Sequence, residues 1–163
     1  MIGLELFQFM LIFSNLYFQD LEYTAKNNEE SILLRNIENS TVKISGNCSS
    51  FTIENSCSTT VLLDMCVFGA AMVRNCNNCR VTITSRQLRI RNVHASKFYV
   101  SVCSKIALEE STGLEFYRNP AEAEHQTIMN KENMKIMNDS YKEINDFEWP
   151  DQSTPSPHWK VGE

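Results

Sequence analysis

Val81-Thr-Ile-Thr-Ser-Arg-Gln-Leu-Arg-Ile-Arg91 contains two short apolar runs, Val81-Thr-Ile83 and Leu88-Arg-Ile90, with polar residues between them. In an extended chain, successive side chains point to opposite faces. Leu88 and Ile90 then enter a core, while Gln87, Arg89 and Arg91 stand outside in a row. The pattern repeats in both directions, through Ile32-Leu-Leu34, Thr41-Val-Lys-Ile44, Phe51-Thr-Ile53, Val61-Leu-Leu63, Ala71-Met-Val73, Phe98-Tyr-Val100, Ile106-Ala-Leu108 and Leu114-Glu-Phe116. Successive runs start 7 to 10 residues apart, and the Asn, Ser, Cys, Thr and Gly between them favour turns. Runs this short and even read as all-β. A meandering sandwich calls for Asn-Gly or Asp-Gly hairpins, and neither dipeptide occurs. A parallel β-helix calls for regular coils with small or polar corners and like residues stacked from coil to coil. The sequence therefore predicts a right-handed parallel β-helix with three strands per coil. Cys57, Cys66 and Cys76, spaced 9 and 10 residues apart, are expected to form one stacked ladder.

The arginine rung is a local exception. The 163 residues carry 15 Lys and Arg against 20 Asp and Glu, a net charge of −5, which argues against a general nucleic-acid binder. Rigid, exposed guanidinium groups suit recognition of phosphates and carboxylates. The six cysteines are expected to be reduced core thiols. Cys76-Asn-Asn-Cys79 has no second CxxC and no spaced histidine pair, so no metal site is expected. The apolar start, Met1 to Phe13, is too short to span a membrane. It also lacks the basic region and cleavage site of a secretory signal. The expectation is a cytoplasmic chain with no membrane anchor.

Three regions follow from composition: an apolar segment 1–13, a β-helix 14–120, and a helix with an aromatic tail, 121–163, packed on the β-helix. Within these, residues 14–31 fit a helix or an extended cap. Ala121–Met137, uninterrupted by Gly or Pro, predicts a helix. Phe147, Trp149 and Trp159 lie among acids and prolines and are expected to cover the solenoid, since large aromatics are seldom left in water.

Several motifs, taken in order, resemble the tubulin-binding cofactor C domain family over roughly residues 12–159. Phe13-Ser-Asn-Leu16 is similar to its opening motif, and Asn75-Cys-Asn-Asn-Cys79 to its Asp-Cys-x-Asp-Cys turn. Gln87-Leu-Arg89 is similar to its Gln-Leu-Arg signature. Phe98–Ser104 and Glu109–Phe116 resemble two further family runs. Asn145-Asp-Phe-Glu-Trp149 and Ser156-Pro-His-Trp159 resemble the tail of the cofactor C branch. Departures are Arg86 where a second glutamine is usual, Ile106-Ala-Leu108, and Tyr117-Arg-Asn-Pro120. The helical domain that precedes the family domain in cofactor C is not within these 163 residues, which fits either a reduced protein or a fragment of a longer one.

The resemblance implies a β-helix fold and activation of a GTPase in trans, without substrate turnover of the chain's own and without a cofactor. Arg89 takes the place of the family's arginine finger, with Gln87 as an orienting group. Arg86, Arg91 and Glu109 are implied partner contacts; Glu109 lies two apolar runs beyond Arg89 and is also placed to fix an arginine. The implied partner is β-tubulin in the tubulin heterodimer, with cofactors D and E, in a cytoskeletal setting. An Arf-like small GTPase is the alternative, as for the retinitis pigmentosa protein of the same family. A non-catalytic binding module, like the actin-binding domain of cyclase-associated proteins, would not need the Gln-Leu-Arg rung. A carbohydrate-active β-helix would place carboxylates where the arginines stand.

Overall fold

The computed structural model describes residues 3–7 and 10–163. Of the apolar start, Met1, Ile2, Gln8 and Phe9 lie outside the described residues. The chain winds into a parallel β-solenoid of about six turns. Two stacks of strands form its main faces. The first comprises β2 (Met10–Tyr17), β4 (Ser31–Glu38), β6 (Ser50–Cys57), the second half of β7 (Thr60–Asn77), the second half of β8 (Arg80–His94) and β10 (Ile106–Glu109). The second comprises β3 (Asp20–Thr24), β5 (Thr41–Ser45), the first halves of β7 and β8, β9 (Lys97–Val102) and β11 (Leu114–Arg118). A hairpin strand, β1 (Gly3–Phe7), runs antiparallel along the free edge of β2.

Residues 14–31 are therefore strand and turn, and the first coil already begins at Met10. The apolar runs alternate between the two main faces, and the coils have a third, two-residue paired side, so the three expected strands are two full ones and one short one. The third side is only the short step between two corners, exemplified by Ile37 and Glu38. It is too short to carry a full strand.

Those corners explain the polar spacing. Asn15, Asn36, Asn55, Asn75 and Asn92 all adopt left-handed backbone at one corner, with φ between 51° and 61°. Asparagine tolerates this region better than most residues. Their amides also join coil to coil: Asn36 donates to Asn15 at 3.2 Å, Asn75 to Asn55 at 3.2 Å and Asn92 to Asn75 at 2.9 Å. Three residues on, Phe18, Asn39, Ser58, Asn78 and Ala95 form a second left-handed column. Ser40, Thr59, Cys79 and Ser96 follow it, each buried and donating to a backbone carbonyl two residues back.

The two cysteines of the CxxC stretch thus occupy two different corner positions. Cys76 stacks on Ser56 and donates to the Arg74 carbonyl, and Cys79 takes the place of a serine or threonine. The expected ladder of Cys57, Cys66 and Cys76 does not form. Cys57 faces Asn77, and Cys66 lies on the far side beneath the C-terminal helix. Pairing follows the coil length of about 20 residues, twice the spacing of the cysteines.

The core is a set of columns. Leu11, Ile32, Phe51, Ala71 and Leu88 stack in one, and Phe13, Leu34, Ile53, Val73, Ile90 and Leu108 in the next, all buried. The second face adds Val42, Val61, Val81, Phe98 and Phe116, whose rings stack 5.5 Å apart between Phe98 and Phe116. Each fully buried side chain of this size contributes about 1.5–3 kcal/mol relative to exposure, and each coil depends on its neighbours for that burial.

The predicted helix is shorter than its pattern: α1 spans Glu122–Lys131. Asn133, with φ of 56°, ends the run that composition alone would have continued. The helix lies on the solenoid through buried His125 and Met129. The tail then returns to the last coil. β12 (Ile144–Asp146) pairs with β10, and β13 (Trp159–Val161) pairs with β11. Buried Asp146 ties the two together by accepting from Ser156 at 2.6 Å and pairing with His158 Nδ1 at 2.7 Å. Trp159 packs edge-on against Phe116, with ring centroids 5.9 Å apart, as expected of a cover. Phe147 does not cover the core and is 55% exposed, because the register of β12 turns it outward.

Candidate functional site

On β8, Leu88 and Ile90 are buried and Gln87, Arg89 and Arg91 are exposed, as alternation requires. Arg89 stands between Met72 of the preceding coil and Ala107 of the next. Arg91 stands between Arg74 and Glu109. Glu109, two runs later in sequence, is therefore on the adjacent rung, because a full coil separates successive strands of one face.

Glu109 serves both arginines. Its Oε1 lies 3.5 Å from Arg89 Nη2, and its Oε2 lies 4.0 Å from Arg91 Nε. Arg91 also reaches Glu110 Oε1 at 3.5 Å. The arginine side chains remain 58% and 61% exposed, against 28% for Glu109. These loose, solvated pairs bias orientation without consuming the guanidinium groups; exposed pairs contribute only about 0–1 kcal/mol. Among the described residues, the side-chain contact that orients Arg89 comes from Glu109, not from Gln87. Gln87 sits exposed beside Ala70, whose small side chain leaves it open. Arg86 is exposed where the chain turns onto this face, and its carbonyl accepts from Ser104 at 3.4 Å.

Sequence reading missed three further occupants of this face. Arg35, Glu54, Arg74, Arg91 and Glu109 fall in one outward column, one per coil. Glu54 is buried and accepts from Arg35 Nε and Arg74 Nε, each at 2.7 Å. Burial alone would raise its carboxyl pKa, but the two guanidinium groups outweigh that and hold it below the usual carboxylate range. The column continues beyond Glu109 to the exposed ring of Phe147, since β12 follows β10 in register. A period of about 20 residues between charged positions was the available sequence signal for Arg35, Glu54 and Arg74. Phe147 carried none.

Burial pushes the Cys48 and Cys66 thiols up to about 12, far from the thiolate form that reacts or binds metal. Among the described residues, no cluster of His, Cys, Asp and Glu could hold a metal ion. No helix of the described residues is long and apolar enough to cross a membrane. The arginine rung lies on an open strand face; a cavity of about 490 Å³, lined by Leu62, Arg80, Tyr99 and Pro120, lies on the other face.

Fold and site together define a β-solenoid with a row of solvent-exposed arginines on one face. A family model described as "Tubulin binding cofactor C" matches residues 29–147. The chain belongs to that family. It is 25% identical over 153 residues to tubulin-specific chaperone C of Bos taurus, covering 91% of this chain and 44% of that protein. It is 24% identical over 151 residues to the human protein of the same name, covering 91% of this chain and 43% of that one. The chain thus spans less than half the length of these relatives. A solved structure of tubulin binding cofactor C from Leishmania major superposes with a TM-score of 0.57 at 18% identity, covering 93% of this chain and 88% of that one. This agrees with the solenoid fold.

Proposed function

We propose that this chain activates a GTPase in trans, with Arg89 as the arginine finger and β-tubulin as the partner. In this reading it works with tubulin cofactors D and E during heterodimer assembly, in the cytoplasm. The observation that carries the proposal is the placement of Arg89: outward from a rigid rung, mostly exposed, and steered by the Glu109 carboxylate 3.5 Å away. Phosphoryl transfer builds negative charge on the γ-phosphate and bridging oxygens. A guanidinium already in position stabilises that charge at little reorganisation cost, with effects of about 10³–10⁵ in rate for known fingers.

The chain would turn over no substrate of its own. Gln87, one alternation from Arg89, faces the same partner surface and is assigned to orienting the attacking water or a group of the GTPase. Arg86 and Arg91 extend the contact. Glu109 releases the arginines as the phosphate and partner carboxylates replace it. Phe147, exposed on the same column, supplies an apolar contact at the edge of the interface.

The test is hydrolysis of GTP under single-turnover conditions. One arm uses tubulin with cofactors D and E, and a parallel arm uses an Arf-like GTPase. Stimulation in the tubulin arm is expected. Stimulation only in the second arm would reassign the partner, and stimulation in neither would overturn the activator reading.

A further inference from the structure

Five of the seven arginines of this acidic chain, Arg35, Arg74, Arg86, Arg89 and Arg91, lie on or at the border of one solenoid face. Arg89 and Arg91 are balanced by Glu109 and Glu110. Arg35 and Arg74 are not balanced: they share the single charge of Glu54. Their side chains are 42% and 45% exposed, whereas that of Glu54 is only 8% exposed. Arg35 uses its Nε on Glu54, and Arg74 its Nε and Nη2, with Arg74 Nη1 donating to Met72 Sδ at 3.8 Å; these contacts fix both side chains, and the Nη groups of Arg35 have no side-chain partner among the described residues. The register also sets Arg74 directly beside Arg91, a like-charge pair that costs stability in a sheet. An arrangement that breaks a local rule in this way points to use rather than to folding.

We propose that Arg35 and Arg74, held by Glu54, form a docking strip for a carboxylate-rich segment of the protein that presents its nucleotide to Arg89. This rests on the activator reading and deepens it by naming the chemistry of the partner surface. Strands of one face are about 4.8 Å apart, so Arg35 lies roughly 14 Å along the axis from Arg91. The strip therefore reaches protein surface alongside the nucleotide. Preformed guanidinium forks fit carboxylates in bidentate fashion. The net charge of −5 disfavours a polyanion such as nucleic acid, while a short acidic segment meets only the local strip. Such a strip acts mainly on encounter and affinity, with a marked salt dependence.

The experiment measures anisotropy of a fluorescein-labelled oligoglutamate peptide with the full chain, across a salt series. The variants are Arg74→Gln, which leaves Glu54 paired with Arg35, and Arg35→Gln/Glu54→Gln/Arg74→Gln, which removes the strip without orphaning a buried charge. The expected result is salt-sensitive binding that weakens roughly three- to tenfold in the triple variant, with a smaller loss in Arg74→Gln. A wild-type chain that does not bind the peptide, or a folded triple variant that binds it as well as wild type, would overturn the strip. The assay contains no GTP or GTPase, so its failure is distinguishable from failure of the activator reading.

Discussion

At the scale of the residue, carboxylates hold the arginines in place while leaving the guanidinium groups largely exposed. Glu109 does so loosely. Replacing it by Ala should lower the stimulated hydrolysis rate by no more than about fivefold, the range of an exposed pair; single-turnover kinetics would measure it. Glu54 does so tightly, with a folded-state pKa below that of a free glutamate. A depressed carboxyl contributes stability that is fully present above its unfolded value, about 4.3, and is lost as pH falls through its folded value. Urea unfolding from neutral pH to about pH 3 should therefore show a steeper acid loss in wild type than in Glu54→Gln. Parallel curves would show that the Arg35–Glu54–Arg74 contacts do not stabilise the fold. Alternation within Gln87–Arg91 was readable from the sequence alone, because burial of Leu88 and Ile90 fixes the parity of their neighbours. The partnership of Arg89 with Glu109 was not, because it depends on which strand follows by one whole coil.

At the scale of the element, the corners set the coil. Asn75 sits at φ of 53° and is bonded to both Asn55 and Asn92. Asn75→Ala should cost about 1–2 kcal/mol through the left-handed backbone alone, and Asn75→Gly should cost less; the urea midpoints would rank them. An alanine variant as stable as wild type would remove the corner ladder from the account. The all-β solenoid was legible because apolar runs recur between turn-forming residues. The unequal length of the three sides was not, since the two-residue side is too short to carry an apolar run of its own. The cysteines misled for a related reason. Their spacing of 9 and 10 residues matched the runs rather than the coil. Cys79 stands instead in a column with Ser40, Thr59 and Ser96, where it makes the same backbone contact as a hydroxyl.

At the scale of the whole molecule, the tail closes one end of the solenoid and carries Phe147 onto the arginine face. β12 and β13 cover the outer edges of β10 and β11. Deleting residues 138–163 would uncover both edges and strip Trp159 from Phe116. The truncated chain should melt lower and self-associate, because uncovered strands pair with one another; calorimetry and size-exclusion chromatography would report both. Phe147→Ser should leave the melting temperature nearly unchanged and weaken partner binding, the opposite of what a packing residue would do. A marked drop in melting temperature would return Phe147 to the role of a cover. The aromatic tail was legible as a segment that returns to the solenoid. Which ring faces water was decided by the strand register of Asp146 against Leu108, which composition does not encode.

The most direct measurement is single-turnover GTP hydrolysis by the stimulated partner with wild type, Arg89→Ala and Arg89→Lys, alongside binding of each to that partner. The finger assignment of Arg89 predicts loss of stimulation by about 10³-fold or more in Arg89→Ala, little rescue by Lys, which lacks the planar fork, and affinity close to wild type. Equal stimulation by wild type and Arg89→Ala would contradict it.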